Sequence, residues 1–314
     1  MTRRRALVAA GAGLLLTLAA CGDGGDTAES GAGGELTVGG ASFTEMAIMQ
    51  EMYRALLEDA GYTVTIQTAD NREVYEPALE GGEIDIVPEY AATMAEFLNA
   101  KVNGPDAPTD SPVATTDAAE TVEAMRPLAE EAGLEVLEPA EAANQNGFVV
   151  SQEFADANGG LSTLSQLGEL GEPLVLAAVE ECPDRPFCQP GLEQTYGLDI
   201  SEVLPLGFGS PQTKEAVASG EADLGLVGTT DGTLGEFGLI LLEDDQNLQL
   251  ADNLVPVVNA ETAGDEAVAE ALNQLAGVLT TEDLAELNAA VDAERQLEED
   301  VARSYLEDKG LIGG

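Results

Sequence analysis

Histidine is absent from this 314-residue chain and cations are scarce: 12 lysines and arginines stand against 59 aspartates and glutamates, a net charge of −47. Without histidine there is no Ser-His-Asp or Cys-His nucleophile, no H-E-x-x-H zinc site and no imidazole proton shuttle. The shortage of Lys and Arg argues against nucleic acid and against a peripheral grip on anionic lipid, because phosphate contacts need them. A carboxylate-only hydrolase stays open in principle, since a glycosidase needs two opposed acids, but no pair is singled out. Glu243-Asp244-Asp245 lacks the spacing of a calcium loop. Met46, Met49 and Met52 have ordinary core spacing on a helix. No catalytic residue, metal or cofactor is therefore expected. Long apolar runs are also missing. Ala6 to Ala20 is apolar or small apart from Thr17, too short for a comfortable membrane span.

That run, preceded by Arg3-Arg4-Arg5, has the length and flank of a secretory signal. It ends in Leu18-Ala19-Ala20-Cys21, which resembles the lipobox of bacterial lipoproteins. The resemblance implies cleavage before Cys21 and acylation of its thiol, and so an extracytoplasmic protein anchored to the membrane by lipid. An ordinary signal peptide and a twin-arginine signal are the alternatives. Loss of the three arginines with residues 1–20 takes the net charge from −47 to −50. With Cys21 assigned, Cys182 and Cys188 remain, and an even remainder at short spacing in an oxidising compartment is expected to form a disulfide.

Residues 21–34 are glycine-rich and polar, a flexible tether. Beyond them strands and helices alternate, which means α/β sheets with helices on their faces. Strands are expected at Leu36–Val38, Thr63–Gln67, Ile84–Val87, Leu134–Leu137, Phe148–Val150, Leu174–Val179, Leu224–Val227 and Leu239–Leu242. Helices are expected at Phe43–Ala60, up to Glu80, at Glu89–Asn99 and Asp117–Ala132, and through most of Glu261–Leu311. One internal echo stands out. Gly81-Gly82-Glu83-Ile84-Asp85-Ile86 parallels Ser219-Gly220-Glu221-Ala222-Asp223-Leu224, each a helix end followed by a strand. It is either a common connection used twice or the mark of two similarly built lobes. Ligands of open α/β sheets sit beyond the carboxyl ends of strands, which points to Tyr90 in one lobe and Thr229-Thr230-Asp231 in the other.

At these residues the chain resembles the substrate-binding proteins of osmoprotectant ABC transporters, which take glycine betaine, choline or carnitine. The matching segments are Gly39-Gly40-Ala41-Ser42-Phe43-Thr44-Glu45, Gly82 to Tyr90, Thr230-Asp231-Gly232, Leu242 to Asp245, Pro256-Val257-Val258 and the Leu287-Asn288 step. The resemblance implies a two-lobed type II periplasmic-binding-protein fold with a ligand cleft between the lobes. Residues 35–142 and 243–314 would form lobe 1, and residues 143–242 lobe 2. It implies a monomer that captures a small quaternary ammonium or related zwitterion and delivers it to a membrane permease. A receptor of the same fold, feeding a sensor or another importer, is the alternative.

The ligand-contacting set carried over is Ser42, Phe43, Thr44, Tyr90, Thr93, Asn144, Asn146, Arg185, Thr229, Thr230 and Asp231. Ring faces suit a methylated cation, which cannot donate an N–H hydrogen bond. Arg185 falls on the arginine that meets a ligand carboxylate, or else pairs with a surface acid. Two positions where the family places cage tyrosines fall on Gly147 and Gly228, and Ala41 stands where a lysine is common. Phe43 or Phe187 is a candidate for replacing a lost ring.

Overall fold

The computed structural model describes residues 33–313. The signal, Cys21 and nearly all of the tether lie outside them. Two five-stranded sheets carry the chain. The first has the order β2-β1-β3-β10-β4, from β1 (Glu35–Ala41), β2 (Thr63–Ala69), β3 (Ile86–Tyr90), β4 (Leu134–Val136) and β10 (Leu254–Asn259). The second has the order β7-β6-β8-β5-β9, from β5 (Asn146–Ser151), β6 (Pro173–Ala178), β7 (Asp199–Pro205), β8 (Leu224–Gly228) and β9 (Leu239–Leu242). In each sheet the first three strands run parallel and one antiparallel strand, β10 or β5, joins the third to the last.

The two sheets are built alike down to single bonds, which favours the two-lobe reading of the echo. Asp85 accepts a hydrogen bond from the Thr37 amide at 2.7 Å, and Asp223 accepts one from the Val175 amide at 2.8 Å, each across 48 residues. Their own amides donate back to the Thr37 and Val175 carbonyls. Each aspartate thus satisfies a backbone donor at the start of its sheet, where a bare N–H would carry a desolvation cost. The same alignment sets Tyr90, at the end of β3, against Gly228, at the end of β8.

β3 is buried along its whole length and extends to Tyr90. It starts two residues after the expected Ile84, and Glu89-Tyr90 belongs to it rather than to the following helix, Ala91–Asn103. Pro88 accounts for part of this: it holds its predecessor extended. It faces Pro256 of β10, so neither strand presents an unpaired N–H at that rung. β7, an edge strand carrying Asp199 and Glu202 on exposed positions, has no hydrophobic alternation to announce it. Large apolar side chains fill the core of the first sheet, among them Met46, Met49, Met52 and Tyr53 from the helix Thr44–Asp59.

The chain passes between the sheets at two adjacent points. Ala143 forms an antiparallel bridge with Asn253, and the Asn144 amide donates to the Asp252 carbonyl. The return expected near Glu243 falls here instead. Glu243 is still bonded to the second lobe, through Ser162 and Leu164, and Asp244 accepts from Tyr196 and the Leu248 and Gln249 amides. Cys182 and Cys188 form a disulfide. No helix of the described residues is long and apolar enough to cross a membrane.

Candidate functional site

A cleft of about 1120 Å³ lies between the sheets at the ends of β1, β3 and β8. Its aromatic part comes from both walls. Phe43, which caps the start of the helix Thr44–Asp59, stacks on Tyr90 with ring centroids 6.4 Å apart and 25° between planes. Phe208 from the opposite lobe meets Phe43 at 5.1 Å. Phe208 sits between Gly207 and Gly209, both at positive φ, a backbone that glycine adopts without strain. That flanking pair is a signal by which the sequence could have revealed a ring held on a tight loop.

Glu45 is the hub of the site. It is 2% exposed and its carboxylate accepts four hydrogen bonds: from Tyr90 Oη (2.6 Å), Asn144 Nδ2 (2.9 Å), Thr230 Oγ1 (2.6 Å) and Asn288 Nδ2 (2.7 Å). The donors belong to β3, the first crossing, the loop after β8 and the helix Thr281–Asp292. Burial, and then the neighbouring Glu45 charge, push the Tyr90 phenol well above its ordinary value. The start of a helix carries partial positive charge, which favours a carboxylate in its first turn.

A second hub lies behind Tyr90. Arg72 forks onto Glu89 at 2.8 and 2.6 Å, and gives a further bond to Thr93 Oγ1 at 2.9 Å. Tyr75 donates to Glu89 at 2.7 Å. Burial works against the Arg72 charge, but the Glu89 carboxylate outweighs it and holds the guanidinium well above its ordinary value. Asp252, at the second crossing, accepts from the Thr93 amide at 3.0 Å. Burial raises its carboxyl to about 7 against the opposing pull of that amide and of Arg72.

Ten of the eleven expected contact residues line the cleft: Ser42, Phe43, Thr44, Tyr90, Thr93, Asn144, Asn146, Arg185, Thr230 and Asp231. Thr229 does not. Its side chain accepts from the Gln145 amide and donates to Asn144, tying the first crossing to the loop after β8. Asp231 is held by the buried Lys214 at 2.8 Å and by Thr233. Thr44 donates to Asp292, and Asn146 to Phe187 O and Gln249. Arg185 meets Glu73 of the other lobe at 2.8 and 3.3 Å and Glu181 at 3.0 Å. Phe187 also lines the cleft. A side chain on Gly147 would point at Leu241 and not into the cleft, whereas one on Gly228 would meet the Asn144 amide at 2.9 Å. Sequence reasoning missed Arg72, Lys214 and Phe208 as site residues, while Asn288 lies in a segment that carries the resemblance.

Residues 34–308 match the family model described as the substrate binding domain of ABC-type glycine betaine transport system. The chain belongs to this family. It is similar to a glycine-betaine-binding protein of Pseudomonas aeruginosa, 28% identical over 289 residues and 88% of each chain. It is also 28% identical over 283 residues to the glycine betaine-binding protein YehZ of Escherichia coli, covering 87% of this chain and 90% of that one. The solved structure of apo YehZ superposes with a TM-score of 0.59 at 27% identity, over 88% of this chain and 99% of that one. A lactococcal binding protein, closed and complexed with glycine betaine, shares the fold at a TM-score of 0.59 and 12% identity, over 88% of this chain and 96% of that one. The binding protein therefore has the α/β type II periplasmic-binding-protein fold with a ligand cleft. Its family serves transport and is not one of enzymes.

Proposed function

We propose that the protein captures a small quaternary ammonium or related zwitterion in this cleft, outside the cytoplasm, and delivers it to an ABC permease as a monomer. The observation that carries this reading is the meeting of Phe43, Tyr90 and Phe208 from both walls. A trimethylammonium group has no N–H to donate, so aromatic faces attract it where ordinary hydrogen-bonding side chains do not. Thr93, Asn144, Asn146 and Thr230 supply polar contacts around the rings. Arg185 offers its fork to a ligand carboxylate in exchange for Glu73. Lobe closure about the paired crossings traps the ligand and presents a closed surface to the permease.

Calorimetric titration of the form starting after Cys21 tests this, using glycine betaine, choline, carnitine, proline betaine and ergothioneine. The expected result is a dissociation constant on the order of micromolar for at least one of them. It should weaken by about tenfold or more in Phe43→Ala and in Phe208→Ala, as a lost ring face requires. Silence across the panel refutes the ligand class. Acylation at Cys21 is the second part of the reading, motivated by Leu18-Ala19-Ala20-Cys21. Labelled fatty acid should enter the protein in cells and be lost in Cys21→Ser; label retained in that variant removes the anchor.

A further inference from the structure

We infer that Glu45 supplies the negative charge by which this cleft selects a cation over a neutral molecule of the same shape. The inference rests on the ligand class proposed above.

Buried carboxylates are normally paired with a cation, because an isolated charge away from water is costly. Glu45 is buried, yet its four partners, Tyr90, Asn144, Thr230 and Asn288, are all uncharged. Three cations of the cleft are held by other acids. Arg72 is locked on Glu89, Arg185 on Glu73 and Glu181, and Lys214 on Asp231. The hydrogen bonds hold the Glu45 carboxylate in place without cancelling its charge. In surroundings less polar than water that charge reaches further than it would at the surface. It also has a direct route to the rings. The Tyr90 hydroxyl donates to it at 2.6 Å, and a phenol bonded to a carboxylate gains electron density, which makes its face a stronger seat for a cation. A ligand with trimethylammonium at Phe43 and Tyr90 meets this field; its carbon counterpart gains nothing from it.

The test compares glycine betaine and choline with their carbon isosteres, in which a tert-butyl group stands for the trimethylammonium. Titrations use the soluble protein and its Glu45→Gln, Tyr90→Phe and Thr230→Val variants. Gln keeps the shape of Glu45, and the Asn288 Oδ1 atom, buried with no partner, can accept the new amide N–H once its own amide turns. In Glu45→Gln the affinity ratio of ammonium to isostere falls by about tenfold or more. Thr230→Val removes a donor but no charge, so both members of a pair weaken alike and the ratio holds. If Glu45→Gln does not fold, Tyr90→Phe decides: it keeps the ring, cuts the link, and must lower the ratio. A ratio unmoved in folded Glu45→Gln overturns the inference while leaving the ligand class intact. If neither binds the unaltered protein, the pair is made from whichever of the five ligands does; silence across all five removes the ligand class and the inference with it.

Discussion

Replacing Glu73 with glutamine should tighten the binding of a carboxylate-bearing ligand. Glu73 occupies Arg185 through two bonds, at 2.8 and 3.3 Å, so an incoming carboxylate must displace it. Arg185 and Glu73 are 32% and 41% exposed. Solvent screens a pair this open, and its worth is about 0.5–1 kcal/mol even with forked geometry. Glu73→Gln removes that competitor, which corresponds to about two- to fivefold tighter binding of glycine betaine. Choline, with no carboxylate, should not change. The gain should fade with salt, since the screening length drops from about 10 Å at 0.1 M to about 3 Å at 1 M. Arg185→Ala should cost glycine betaine about 2 kcal/mol, as a lost charge-assisted bond does, and spare choline. Titration calorimetry at both salt concentrations reads all of this. If Glu73→Gln instead weakens both ligands by the same factor, the Arg185–Glu73 pair is a strap between the lobes, and the exchange reasoning is wrong.

Three further outcomes follow from the fold. Breaking the short Cys182–Cys188 loop with Cys188→Ser should cost about 2 kcal/mol by loop-closure entropy, lowering the midpoint in a thermal melt without reductant. Gly191→Ala should destabilise by about 1–3 kcal/mol or more in denaturant titration, because an added Cβ would stand 2.3 Å from the Pro186 carbonyl. Asp252 is an acid whose folded-state pKa is raised, to about 7, so the folded protein holds more protons than the unfolded chain between its ordinary value of 3.8 and 7. Its contribution makes stability fall as pH rises through that window. Asp252→Asn should flatten this slope in melts at pH 5 and pH 8, and an unchanged slope would place the proton elsewhere.

The alternation of strands and helices was legible because several strand interiors are runs such as Leu224–Gly228 and several helices end at a glycine, as at Gly220. The echo around Asp85 and Asp223 was legible too, since a conserved bonding job left the same letters twice within one chain. Ten cleft residues could be named from the resemblance, because strand ends are fixed points of such a fold. What the sequence hid was pairing. Nothing local tells that Glu45 will meet Asn288, 243 residues away, or that Arg72 will be taken by Glu89. Arg185 stood out as a rare cation, but its two acidic partners are drawn from a background too dense in acids for any one to be read in advance. β7 and the true return crossing at Asp252 were obscured for a related reason: charged residues lie in both, and charge in a strand or a hinge looks like loop.

The likeness of the two lobes has a consequence for how a ligand is oriented. Two sheets of the same strand order, one in each wall of the cleft, offer a head group two corresponding berths, at the end of β3 and at the end of β8. Here the berths are made unequal. Tyr90 brings a ring on one side, while its counterpart Gly228 brings only backbone, with the Asn144 amide filling the space a side chain would need. On the reading proposed above, a molecule with a single cationic end would favour the Tyr90 berth, and with it one orientation in the cleft.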